Sequence, residues 1–169
     1  WLIKAGFELE FEDESDRTSK HCEFTATYTV TGEKYSVEAK SREIESTNSS
    51  RAKVGRKLYE ALEKKANYKR LIFLDLNKPL HTQEAAEIAV DRAERIVSQS
   101  EGLKIDGEPA PAAYVCMANM NDQYALDTST LAMMISFRGF KIHDFMGDEF
   151  PSLREAARAR ERHWPMFQL

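Results

Sequence analysis

Two glutamates and a lysine carry most of the chemical content of this chain. Glu23 stands at the head of one alternating run, and Glu38, Ala39 and Lys40 close the next. A hard cation such as Mg²⁺ takes oxygen ligands and is often held by one or two carboxylates together with phosphate oxygens and water. The cation polarises a phosphoryl group and lowers the pKa of a bound water. A lysine beside that water orients it and offsets the negative charge that grows in the transition state. Acid, acid and lysine in one place are therefore a minimal kit for phosphodiester hydrolysis with Mg²⁺ or Mn²⁺. Glu23 and Glu38 would be the metal ligands, and Lys40 would position the water. The competing reading is a solvated, salt-bridged strand face, because an isolated Glu-x-Lys is common.

The elements that must bring these residues together are legible nearby. Strand side chains alternate between faces. Phe24, Ala26, Tyr28 and Val30 are apolar, while Glu23, Thr25, Thr27 and Thr29 are polar. Tyr35, Val37 and Ala39 alternate in the same way with Ser36, Glu38 and Lys40. Two such runs predict strands over 23–30 and 34–40. Thr31-Gly32-Glu33 supplies the turn, with Gly32 free to take a positive φ. In an antiparallel hairpin the start of one strand lies near the end of the other, so Glu23 approaches Glu38 and Lys40.

With those residues in place, the segment resembles the restriction-endonuclease-like, or PD-(D/E)xK, nuclease superfamily. The shared pattern is an acid at the head of a strand, a turn, an acid-x-Lys ending the next strand, then a helix and a buried strand. Glu38 and Lys40 fall on the acid-x-Lys. Glu23 falls where the family usually has Asp, one methylene shorter, and Cys22 stands at the Pro position. The resemblance spans roughly residues 6–76. Tyr59 fits the Tyr of a Gln-x-x-x-Tyr subgroup, but Gly55 stands at its Gln position. The resemblance implies a single α/β domain over 1–169, a restriction-endonuclease-like mixed central sheet flanked by helices. It implies a Mg²⁺- or Mn²⁺-dependent nuclease that hydrolyses phosphodiester bonds of DNA, with RNA left open. The alternative is a catalytically inactive nucleic-acid-binding or partner-binding module on the same fold, since fold alone never fixes function.

Charge adds a candidate contact surface. Residues 8–16 hold Glu8, Glu10, Glu12, Asp13, Glu14 and Asp16 without a base. Residues 51–70 hold eight Lys and Arg against Glu60 and Glu63. That basic stretch directly follows the proposed site. Arg51, Lys53, Arg56 and Lys57 are its candidate phosphate contacts, the kind that carry most nonspecific affinity. The formal net charge of −4 argues against a protein that simply coats nucleic acid, but a local patch is enough to steer a substrate.

Composition frames these readings. A chain of 169 residues, 42% hydrophobic and 31% charged, suits one globular domain with a substantial core. Trp1 rather than Met leaves room for preceding residues. No apolar run has the length of a membrane span, and no secretory signal is recognisable. Cys22 and Cys116 make neither a disulfide framework nor a zinc cluster, which fits reduced thiols in the cytoplasm. Beyond the hairpin, strands are expected over 7–12, 71–76, 113–118 and 131–137, the last with a buried helix as its alternative. Residues 140–142 would extend the sheet. Helices are expected over 51–66, from Thr82 onward and over 152–162. Strands interleaved with helices indicate an α/β sandwich. Glu8, Glu10, His143, Asp144 and Asn119 are further polar residues near strand ends.

Overall fold

The computed structural model describes residues 2–11, 21–41, 50–78, 80–119 and 134–145; the side chains of 50–52 lie outside that description. The expected helix over 152–162, Asn121, Asp122, Trp164 and Phe167 also lie outside it.

The alternating runs form the expected hairpin, but its first strand stops at Tyr28, short of residue 30, and Val30 is exposed in the turn. β1 (Phe7–Phe11) pairs antiparallel with β2 (Phe24–Tyr28), which pairs antiparallel with β3 (Lys34–Ser41). Gly32 takes φ +72°, and its N–H donates to the Tyr28 carbonyl at 2.7 Å. A Cβ at Gly32 would meet nothing within 4 Å, so glycine is suited there by backbone conformation and not by space.

After β3 the chain crosses over through α1 (Ser50–Leu62) to β4 (Lys69–Asp75), parallel to β3. A second crossover runs through α2 (Gln83–Gln99) and a small hairpin of β5 (Lys104–Ile105) and β6 (Glu108–Pro109). It leads to β7 (Ala113–Asn119), parallel to β4. β8 (Met134–Phe140) returns antiparallel to β7. The result is a mixed six-stranded sheet, ordered β1-β2-β3-β4-β7-β8. Right-handed crossovers that step the same way along a sheet put their helices on one face. Accordingly α1 and α2 share one core, with Leu58, Leu62, Ile72, Leu74, Val90, Val97, Val115 and Met117 at its centre. The opposite face is aromatic: Phe7 stacks on Tyr28 at 4.7 Å, and Tyr35 meets Tyr114 edge-on at 6.1 Å. Among the described residues no helix is long and apolar enough to cross a membrane.

Three further expectations about elements change. α1 ends at Leu62 instead of continuing to residue 66. The chain must turn there because the Lys65 carbonyl accepts the Cys22 N–H at 3.3 Å, and the amides of Asn67 and Tyr68 donate to Ser36 Oγ. Where the sequence predicts separate pieces over 131–137 and 140–142, the described strand is continuous over Met134–Phe140, locked in register from Asn119 to Ala113 of β7. The apolar stripe of α2 changes in part: of Ala85, Ile88, Ala89, Arg92, Ile96 and Val97, which follow helical spacing in the sequence, Ala89, Ile96 and Val97 are buried. Thr82 caps the helix by accepting the Ala85 N–H, as expected, but the buried residues are Ala86, Ala89, Val90, Ala93, Ile96 and Val97. Ile88 is 61% exposed.

Candidate active site

β3 lies third in the sheet, with strands on both sides and α1 over one face, so neither of its faces is free of protein. Tyr35 and Val37 enter the aromatic core. Ser36, Glu38 and Lys40 therefore point to the helix side. The solvated-face reading fails here, because Ser36 and Glu38 are buried, Glu38 with only 1% of its surface exposed. Ser36 is satisfied by the two amides after α1. Glu38 is ion-paired through Oε1 with the Lys40 ammonium, while its Oε2 has no hydrogen bond among the described residues. A buried carboxylate oxygen without a donor is uncommon.

Glu23 joins this pair. Its N–H donates to the Val37 carbonyl at 3.0 Å. The register that sets Phe24 against Val37 sets Glu23 against Glu38 one step further on. Glu23 itself is exposed, as an ordinary strand-face acid would be. Partial desolvation first, and then the Glu38 charge, hold its carboxyl above the ordinary glutamate pKa. Lys40, the Ala39 N–H and Lys64 oppose that shift without cancelling it. The hairpin thus brings Glu23, Glu38 and Lys40 to one place. Two neighbouring carboxylates are the type of oxygen donor that a hard cation takes, together with phosphate and water oxygens. Among the described residues no group of three or more His, Cys, Asp and Glu could hold a metal.

Next to this site is a cleft of about 220 Å³ between α1, α2 and the end of β4. Lys40, Lys53, Arg56, Lys57, Lys78 and Arg92 line it, with Asp75 as its one lining carboxylate. The charge run predicts Lys53, Arg56 and Lys57 as contacts, and the structure puts all three on this cleft. Arg56 and Lys57 also pair with Glu60, at 2.7 and 3.3 Å, which ties them to their own helix. Arg51 lies in α1, but its side chain is outside the described residues.

Lys78 and Arg92 are not among the contacts that the sequence predicts. Arg92 follows the helical spacing of the expected apolar stripe of α2, but it is exposed and lines the cleft. Lys78 follows β4, and its position is set by Asn119 at the end of β7. The buried Asn119 side chain accepts the Lys78 N–H at 2.9 Å and donates to the Lys78 carbonyl at 3.1 Å. The signal available in sequence is an Asn directly after a buried apolar run.

Other polar candidates fall elsewhere. Glu8 and Glu10 are exposed on β1, opposite Thr27 and Thr25. His143 and Asp144 are exposed beyond Phe140, which sits beside Ala113 at the other end of the sheet. The chain matches no family model, no curated protein and no solved structure.

Proposed function

We propose that this protein is a metal-dependent phosphodiesterase acting on nucleic acid, DNA first among its substrates, on a restriction-endonuclease-like fold. The fold reading rests on order. An acid precedes β2, an acid-x-Lys lies on β3, and a helix and a buried parallel strand follow. The functional reading rests on Glu38, a buried carboxylate paired with Lys40 through one oxygen only, with the Glu23 carboxylate beside it. A shared hard cation would supply a partner for the second oxygen and offset the repulsion between the two carboxylates.

Glu23 and Glu38 would hold Mg²⁺ or Mn²⁺. When bound, the cation supplies Lewis acidity toward phosphoryl oxygens and a water of lowered pKa. Lys40 Nζ orients the attacking water and balances charge developing on the phosphoryl group. α1 screens Glu38 from bulk water, which strengthens every charge interaction at the site. Lys53, Arg56 and Lys57 attract the phosphate backbone.

The test is nicking or degradation of DNA with Mg²⁺ or Mn²⁺ supplied, and its arrest by EDTA. A Glu38→Ala, Lys40→Ala double variant should be inactive. Equal activity in that variant and the wild type would identify a contaminating nuclease and end the proposal. The absence of a third carboxylate among the described residues favours one second reading, a binding module that has lost cleavage. Metal-independent binding without cleavage in either metal would select it.

A further inference from the structure

The cleft beside Glu38 and Lys40 is amphipathic, a property that hydrolysis alone does not require. Its floor is apolar: Val54 from α1, Leu74 and Leu76 from the end of β4, and Ala89, Ala93 and Ile96 from α2. Its rim is cationic. Lys40, Lys53, Arg56, Lys57, Lys78 and Arg92 line it together with Asp75. An apolar floor under a cationic rim selects a ligand with an apolar body and an anionic group. Lys40 belongs to both places, since it touches Glu38 and also lines the cleft. A ligand in the cleft therefore lies next to the proposed scissile phosphate.

We propose that the α1–α2 cleft receives one unpaired nucleotide of the substrate. Its base lies on the apolar floor, and its phosphate is held by Lys78 and Arg92. The inference rests on the phosphodiesterase reading and deepens it, because it makes single strands and frayed ends the substrate class. A base within a duplex is stacked and paired, so its faces and edge are not available to a pocket between two helices. An unpaired base has both, and its burial against protein is tolerant of sequence. Asn119 supports the arrangement by fixing the Lys78 backbone from the core. A free mononucleotide carries the same chemistry, and the experiment separates the two sources.

Binding is measured on the full chain in EDTA, where no cleavage occurs, with a short fluorescein-labelled oligothymidylate. Lys78→Ala with Arg92→Ala should weaken binding at least about tenfold and reduce the log–log salt slope by roughly 0.7 for each phosphate interaction removed. Ala89→Leu fills the floor without altering charge, and should weaken binding about tenfold with the slope unchanged. Binding of duplex DNA should be indifferent to Ala89→Leu. In the wild type, thymidine monophosphate should displace the labelled strand, and inorganic phosphate at matched ionic strength should not. This arm needs no variant to fold. Monophosphate binding tighter than the oligonucleotide would assign the cleft to free nucleotide and overturn the strand proposal. Failure of the monophosphate to compete, or equal losses for single strand and duplex, would overturn it as well, even with metal-dependent cleavage intact. Nucleotide binding in the cleft without any cleavage would instead remove the phosphodiesterase reading and leave the cleft assigned.

Discussion

The two ends of β3 each pair a glutamate with a lysine, and the pairs have opposite characters. At the turn end, Glu33 is paired with Lys69 and accepts the Tyr35 hydroxyl at 2.5 Å. Both partners hold its carboxyl below the ordinary glutamate pKa, Lys69 first. At the other end Glu38 is paired with Lys40 through Oε1, and it is buried. The first pair is partly exposed at the turn. The second lies under α1, with Glu23 as a neighbouring like charge and Oε2 without a hydrogen bond among the described residues. Burial and the second carboxylate, not the ion pair itself, distinguish the two ends.

The largest effect that could undo this contrast is that of Glu38→Gln. Cleavage should fall by about 100-fold or more, in the range seen when one electrostatic partner of a reacting group is removed. In EDTA the same variant should lose stability in denaturant unfolding, because the Lys40 ammonium loses its partner. Lys40 keeps 20% of its side chain in solvent, which limits that loss. A destabilised Glu38→Gln that cleaves normally would make this pair as structural as that of Glu33.

Lys40→Ala tests the same pair from its cationic side. Its kcat should drop by about 100-fold while the Kd for oligonucleotide in EDTA changes by about threefold at most, since the lysine acts on transition-state charge. Equal losses in kcat and affinity would move Lys40 from chemistry to gripping. Glu33→Gln is the control at the opposite end. Its exposed pair should contribute no more than about 1 kcal/mol to unfolding, and cleavage should not change.

The smallest effects lie in pH dependence, and the two ends have opposite signs. Glu33 has a depressed pKa, so its stabilisation is present above the ordinary glutamate value and is lost as pH falls through the depressed one. Glu23 has a raised pKa, so the folded protein holds that proton more tightly than the unfolded chain. Metal-free stability should therefore decline as pH rises through the window just above the ordinary glutamate value. Glu23→Gln should flatten that decline, and Mg²⁺ should offset it, because a cation binds the deprotonated carboxylates. Unfolding titrations across pH, with and without Mg²⁺, measure both. A decline that survives Glu23→Gln would place the titrating group elsewhere.

Much of the framework is legible in the sequence because its signals are local. Period-2 alternation around Gly32 locates the hairpin. The apolar runs at 71–76 and 113–118 locate β4 and β7, and Thr82 marks the start of α2. The hairpin also tells which residues meet, since antiparallel pairing brings Glu23 to Glu38 whatever surrounds them. Burial is not legible. Ser36, Glu38 and Lys40 have the same polar pattern on an exposed sheet as on one covered by a helix, and only the packing of α1 on β3 distinguishes them. The buried face of α2 is legible only in part: Ala89, Ile96 and Val97 of the expected stripe are buried, while contact with β7 and β8 selects Ala86, Val90 and Ala93 over Ala85, Ile88 and Arg92.

Local sequence dictates the alternating strands, the turn, the capped helix and the acid, acid and lysine that the hairpin joins, because each depends on backbone geometry over a few residues. Long-range packing sets what remains: the Glu38–Lys40 pair lies under α1, and Lys78 and Arg92 reach the cleft of Lys53 and Lys57. Those facts depend on side chains from α1, β4, α2 and β7 that are dozens of residues apart in the chain. They become neighbours only when two parallel crossovers stack both helices on one face of the sheet.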